Sequence, residues 1–291
     1  MLNKYFYMHL IYKMARSPQR LRFSVGFLIV IFTCLPALSS NLDTDATNQN
    51  SRHIIRFAVV GYPPYTVIDN NQASGFDLEI VHKLARAIEH NVELVKCPWK
   101  RCLKLVEQGQ LDMLSTAMYT KQRAEYMQYI QPEYLQTSIV FYSKKQKNLS
   151  IEKYEDLFGL MVGRELGSAT FEPLESDGRI TFKDYMKKKQ LFNLLLSERI
   201  DILVGGRGAL DYLAEKHGFT DKVTLQPYQH LGANVYFTVS KKSLLIKHIA
   251  SLNQAMKKLK EQGVLRALFK QVSTGKGFNR YPLMHASEHQ K

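Results

Sequence analysis

From residue 53 onward the apolar positions of the chain switch between two rhythms. Short runs rich in β-branched residues, "HIIRFAVV" at 53–60, "NVELVKC" at 91–97 and "LDMLSTA" at 111–117, have the length and composition of buried strands. Between them, "FDLEIVHKLARAIEH" at 76–90 sets Leu78, Val81, Leu84, Ala85 and Ile88 on one helical face. Asp77 stands where a helix N-cap is wanted. Residues 99–109 repeat the helical spacing and end at Gly109, the residue type that closes a helix. The loop between the first strand and the first helix, "GYPPYTVIDNNQASG", is dense in Pro, Asn and Gly. This strand–helix alternation predicts a parallel sheet with right-handed crossovers.

A second α/β unit follows the strand "TSIVFYSKK" at 137–145. Its predicted elements are strand 160–165, loop "LGS" at 166–168, helix 169–176, strand 180–185, helix 188–199, strand 201–206, helix 208–218 and strand 222–228. The stretch "ANVYFTVSKK" at 233–242 then repeats the pattern of 137–145 and leads into one or two amphipathic helices over 244–272. The expected fold class is therefore α/β, with two parallel-sheet lobes joined by two hinge strands. Lobe one is expected to take residues 53–140 plus 233–272, lobe two 141–232, and 273–291 a loosely ordered tail. The cleft between such lobes is the default place for a ligand.

The N-terminus is of another kind. Residues 1–22 carry Lys4, Lys13, Arg16, Arg20 and Arg22 and no acid, and "FSVGFLIVIFTCLPAL" follows. A basic region, an apolar core, Pro36 and small residues read as a signal peptide over 1–40, cleaved between Ala37 and Ser40. Met14 offers an alternative start. Cys34 makes a poor lipid-attachment site, because bulky Phe32 and Thr33 precede it. Export to the periplasm changes the meaning of the charge. Loss of the five leader cations takes the net charge from +14 to +9, spread over helical faces as a solvated surface. No nucleic-acid partner is expected. Cys97 and Cys102 remain, at a spacing unlike a zinc ribbon, either as a disulfide closing a very small loop or as two packed thiols.

Taken in order, "GYPPY", "GFDLEI", Trp99 thirteen residues before Asp112, "TKQR" at 120–123, "PEY", "LFGLMVGRELGS" and "SERIDILVGG" resemble the bacterial periplasmic solute-binding proteins of family 3, the amino-acid-binding type. The resemblance covers residues 53–272. It implies two lobes closing over a small anionic or zwitterionic solute, a monomer, and a membrane permease or sensor that reads the closed form. By that resemblance Arg123 grips a ligand carboxylate, for which a guanidinium offers a planar two-pronged fork. Thr120 precedes it in the same motif. Tyr62 and Trp99 fall on aromatic walls, with Tyr65 as a second wall. Gly167 and Ser168 fall on a loop and helix start that offer N–H groups to the carboxylate.

Two departures bear on the ligand. Amino-acid binders of the family place an Asp, for the α-ammonium, where this chain has Gly206, and a hydroxyl where it has Met118. Met118 and the neighbouring Arg207 are thus secondary site candidates, and an Arg207 turned into the cleft implies a dianion. The carboxylate grip is retained in part and the ammonium grip is lost, so a carboxylate lacking the amine fits as well as an amino acid. No G-x-S-x-G elbow, H-E-x-x-H or Walker loop occurs, and no metal or cofactor is expected. The expected function is capture of a carboxylate-bearing solute for an ABC-type transporter. The alternatives are a sensor or adaptor, or a dehydratase-like enzyme using Glu165 or Glu172 as acid or base.

Overall fold

The computed structural model describes residues 53–274 and 277–285. The leader, with Met14, Cys34 and the cleavage region, lies outside them. The elements run β1 (Ile54–Val59), β2 (Val67–Asp69), β3 (Gln72–Ser74), α1 (Phe76–Ala87), β4 (Asn91–Lys96), α2 (Trp99–Gln108), β5 (Met113–Met118), α3 (Lys121–Tyr126), β6 (Met127–Tyr129) and β7 (Leu135–Lys144). They continue with β8 (Met161–Glu165), β9 (Thr181–Tyr185), α4 (Lys188–Leu196), β10 (Ile202–Gly206), α5 (Arg207–Lys216), β11 (Val223–Ser240), α6 (Ile249–Glu261), α7 (Val264–Thr274), β12 (Arg280–Pro282) and β13 (Met284–His285).

The main sheet has the order β13-β4-β1-β5-β11-β7-β10-β8-β9. Pairing is parallel through β13, β4, β1 and β5 at one end and through β10, β8 and β9 at the other. It is antiparallel where β11 meets β5 and β7 and where β7 meets β10. The sheet is therefore mixed: parallel within each lobe, as expected, and antiparallel at the two strands that join them. The reason lies in the connections: β7 and β11 carry the chain out of one lobe and back, so they run in opposite senses. The 18-residue β11 shifts register against β7 between Leu225 and Gln229 and between His230 and Ala233.

Each lobe buries one apolar cluster on either face of its part of the sheet. In lobe one, α1 buries Leu78, Ile80, Val81 and Leu84 completely against Phe57, Phe237 and α6 and α7. Each such side chain contributes about 1.5–3 kcal/mol. The opposite face holds α2 through Cys102, Leu103 and Val106. In lobe two, α4 and α5 cover one face, while Phe141, Leu157, Leu174 and Ile202 fill the other.

Three sequence expectations fail for identifiable reasons. Residues 169–176 form turns, not a helix. Pro173 lacks an N–H and its ring crowds the carbonyl four residues before it. Glu175 meanwhile accepts from the N–H and hydroxyl of Thr170, folding the segment back. The tail is not loose over 277–285: β12 extends the β2–β3 hairpin and β13 pairs with β4. Tyr281 stacks on His82 at 4.1 Å between ring centroids, an anchor the aperiodic tail sequence did not suggest.

Asp77 is the third. It lies inside the first turn of α1, whose N-cap is Gly75, and is fully buried. Its carboxylate accepts from Thr66 Oγ1 (3.0 Å) and Ser115 Oγ (3.1 Å) on one oxygen and from Tyr134 Oη (3.0 Å) on the other. The group ties the 61–66 loop, α1, β5 and the segment before β7 into one body. Burial raises its pKa to about 6 from 3.8, against the lowering effect of the three hydroxyls.

Cys97 and Cys102 form a disulfide with Cα atoms 5.5 Å apart, joining the end of β4 to α2. For so short a loop the chain-entropy contribution is about 2 kcal/mol. A Cys97→Ser/Cys102→Ser double substitution is expected to lower the unfolding free energy by about that amount in denaturant titration. Asp77→Ala leaves three buried hydroxyls without their acceptor and should remove about 3 kcal/mol or more. Because its folded pKa lies above the unfolded value, the folded state takes up the proton first. This carboxyl's contribution to stability therefore falls as pH rises from about 4 to about 6 and is flat above. Asp77→Asn should abolish that slope in melts recorded across the same pH range.

Candidate functional site

A cavity lies where the two lobes meet, above the carboxyl ends of the strands. Lobe one lines it with Tyr62, Tyr65, Trp99, Thr116, Met118 and Arg123. Glu165, Ser168, Ala169, Thr170, Lys188, Gly205 and Gly206 come from lobe two, and Thr137 from the joining strand β7. Each side chain is placed by an element end. Trp99 opens α2 directly after Pro98, and Arg123 sits in the short α3, which is held by a cap: Thr120 Oγ1 accepts the Arg123 N–H at 3.1 Å.

Arg123 is buried, with 5% of its surface exposed. Its Nη1 donates to Met118 O (2.9 Å) and its Nη2 to Gly167 O (2.8 Å). The guanidinium carbon lies 5.2 Å from the centre of the Trp99 ring. Among the described residues it joins no ion pair. A buried guanidinium without a carboxylate costs several kcal/mol in desolvation, which two carbonyls and a ring offset only in part. Burial accordingly lowers its pKa from 12.5, although it remains charged at neutral pH. Among the described residues, three of its five N–H donors have no acceptor.

The lobes touch through this group and its neighbours. Gly167, at φ +78°, accepts from both Arg123 and Trp99 Nε1 (2.8 Å), so one carbonyl of lobe two receives two donors from lobe one. Lys188 pairs with Glu165 and stands over the Tyr62 ring at 4.7 Å. Tyr62 and Tyr65 stack on each other at 5.7 Å. Their hydroxyls reach lobe two at glycines: a Cβ on Gly206 would lie 2.6 Å from Tyr62 Oη, and one on Gly208 2.2 Å from Tyr65 Oη. Burial raises both phenols, Tyr65 to about 12, so both are neutral donors.

Of the sequence candidates, the structure brings Arg123, Tyr62, Tyr65, Trp99, Met118 and Ser168 to the cavity wall. Gly167 stands behind it as the shared acceptor. Thr120 does not line the cavity; its hydroxyl is the α3 cap. Arg207 points elsewhere, half exposed and paired with Asp211 at 3.2 Å, because α5 carries it past the strand end toward its own next turn. Ser168 opens no helix, and its N–H is taken by Glu165 O at 2.9 Å, so the expected helix-dipole seat for an anion is absent there. Of the two acids considered for catalysis, Glu165 lines the cavity in its pair with Lys188, whereas Glu172 is exposed and bonded to Ser176.

Sequence reasoning missed Thr116, Thr137 and Lys188. Thr116 adopts φ +57°, a left-handed conformation uncommon for a β-branched residue, and its N–H donates to Tyr134 Oη at 3.3 Å. The link through Tyr134 runs on to Asp77. Nothing in "LDMLSTA" announces such a backbone. Lys188 carried a weak signal, three consecutive lysines at a helix start, where positive charge is disfavoured.

Comparison with known proteins fits this geometry. Residues 55–274 match the description "Bacterial extracellular solute-binding proteins, family 3". The chain belongs to this family. Among family 3 relatives, the probable amino-acid-binding protein YxeM of Bacillus subtilis (strain 168) is 25% identical over 83% of this chain and 92% of its own length. The L-cystine-binding protein TcyJ of Escherichia coli (strain K12) is 26% identical over 71% of this chain and 77% of its own. The fold is similar to that of an ancestral arginine-binding protein bound to arginine. Its TM-score is 0.65 at 21% identity, covering 76% of this chain and 98% of that one. Among the described residues no helix is long and apolar enough to cross a membrane.

The glycines at the lobe contact give a test of closure in this family 3 protein. Gly208→Ala and Gly206→Ala set a methyl against a tyrosine hydroxyl. Each is expected to hold the lobes apart, seen as a larger radius of gyration in small-angle scattering, with thermal stability little changed.

Proposed function

We propose that the protein captures a small carboxylate-bearing solute, an amino acid or a close relative, between its two lobes and presents it to an ABC-type membrane transporter. The observation that carries this reading is Arg123, a buried cation with no acidic partner among the described residues, in the wall of the interlobe cavity. The named relatives, an amino-acid-binding and a cystine-binding protein, support the same class of solute. The reading takes residues 1–40 as a removable leader and the periplasm as the site of action, with the mature protein a monomer. Lobe one is taken as 53–140 with 233–272, and lobe two as 141–232.

In this reading the solute's carboxylate occupies the remaining donors of Arg123 while its body lies against Tyr62 and Trp99. Contacts to both lobes exist only in the closed form, so ligand binding favours closure by population shift. Gly206 leaves no acid for an ammonium at the position other amino-acid binders use. Glu165 is the nearest acid in the cavity wall, and Lys188 already engages it.

Thermal unfolding of the purified protein against amino acids, keto acids, dicarboxylates and small peptides tests the reading. One compound class should raise the melting temperature by mass action. Arg123→Ala should weaken its binding by roughly 100-fold or more, the loss of two charge-assisted hydrogen bonds. Arg123→Lys should restore only part, since an ammonium lacks the planar fork. A shift that survives intact in Arg123→Ala would overturn the carboxylate assignment.

A further inference from the structure

The cavity around Arg123 does not end at the Lys188–Glu165 pair. Beyond it lies a second, wider groove of about 560 Å³ that shares Val60, Trp99, Glu165 and Lys188 with the first. Five cations line this groove from both lobes: Lys96 and Arg101 from lobe one, and Lys187, Lys188 and Lys189 from lobe two. Among the described residues Glu165 is the single acid in its wall, and Lys188 holds it. The other four cations are exposed, and among the described residues none has an ion pair or a side-chain hydrogen bond.

That arrangement works against the protein alone. Three lysines sit at the start of α4, where the helix end is itself positive and the first turn has no acid. They share the groove with Lys96 and Arg101, and like charges lining one groove repel. An anion in the groove turns that repulsion into attraction from both sides.

We infer that the solute is elongated and doubly anionic. One carboxylate sits on Arg123, an apolar or flat middle passes between Tyr62 and Trp99, and a second anionic group lies in the groove of Arg101, Lys187 and Lys189. This inference rests on the solute-capture reading above and adds the second charge and its seat. The second positive centre is thus the start of α4 with Arg101, and not Arg207.

Isothermal titration of the full chain tests it with matched pairs. Each straight-chain dicarboxylate from succinate to sebacate is compared with its ω-monoamide, which keeps the length and one carboxylate but drops the second charge. Glutamate against glutamine and 2-aminoadipate against its amide cover amine-bearing solutes, and ω-phosphonates in place of the distal carboxylate tell which anion is preferred. At one length or more the dianion should bind at least about tenfold tighter, about 1.4 kcal/mol. The preference should shrink as salt is raised. In Arg101→Gln/Lys187→Gln/Lys189→Gln it should fall to about twofold or less because the dianion weakens. Lys189→Gln alone should give an intermediate value if the triple variant folds poorly.

Equal binding of dianion and monoamide, still dependent on Arg123, would overturn the groove and leave the solute reading standing. A preference that survives the triple substitution places the second charge elsewhere and also overturns it. Binding of none of the compounds removes the solute reading, and this inference with it.

Discussion

The ligand face of lobe one hangs on one buried carboxylate. Asp77 accepts from Thr66, Ser115 and Tyr134, which lie on three different segments, and Tyr134 in turn receives the N–H of Thr116. The loop bearing Tyr62 and Tyr65 and the strand end bearing Thr116 and Met118 are therefore set in one register relative to α1. A carboxylate in a dry interior is an expensive way to join segments, but it is directional where apolar contacts are not. The part of the cavity wall formed by Tyr62, Tyr65, Thr116 and Met118 depends on that direction.

Closure depends on a different balance. Among the described residues the polar contacts between the lobes include one carbonyl shared by Arg123 and Trp99, Lys188 over the Tyr62 ring, and two tyrosine hydroxyls against glycines. These contacts are small beside the apolar clusters within each lobe, so the lobes are stable bodies and their contact is weak. The joining strands β7 and β11 belong to the main sheet, and the register shifts in β11 lie in the part shared with β7. In the proposed reading, weak contact and continuous joining strands would let a solute worth a few kcal/mol decide the position of the equilibrium.

Much of the fold was legible because its information is local. Helical spacing located α1, α2, α4 and α5, and β-branched runs located β1, β4, β5, β7 and β10. Residues 169–176 misled because apolar spacing there looks helical, while Pro173 and the Glu175 side chain decide otherwise. Asp77 misled because its position near a helix start matches a cap, and only the tertiary structure shows three hydroxyls converging on it. For the site, motif order singled out Arg123, Tyr62 and Trp99, and all three line the interlobe cavity. Thr120 was expected in the cavity wall, but its hydroxyl accepts the Arg123 N–H and holds the start of α3. Thr116 and Thr137 could not be read and Lys188 only weakly, since their places in the wall arise from how two lobes and a backbone dihedral meet.

The contact between Tyr62 and Gly206 couples two positions. A phenol fills the space that any side chain at Gly206 would need. An acid introduced there alone would be driven into the hydroxyl. Trimming the tyrosine alone opens a hole beside Lys188 and strips a wall from the cavity. Neither single substitution leaves both the wall and the space intact, so the two positions constrain each other. What position 206 can carry is thereby limited by sterics as well as by charge.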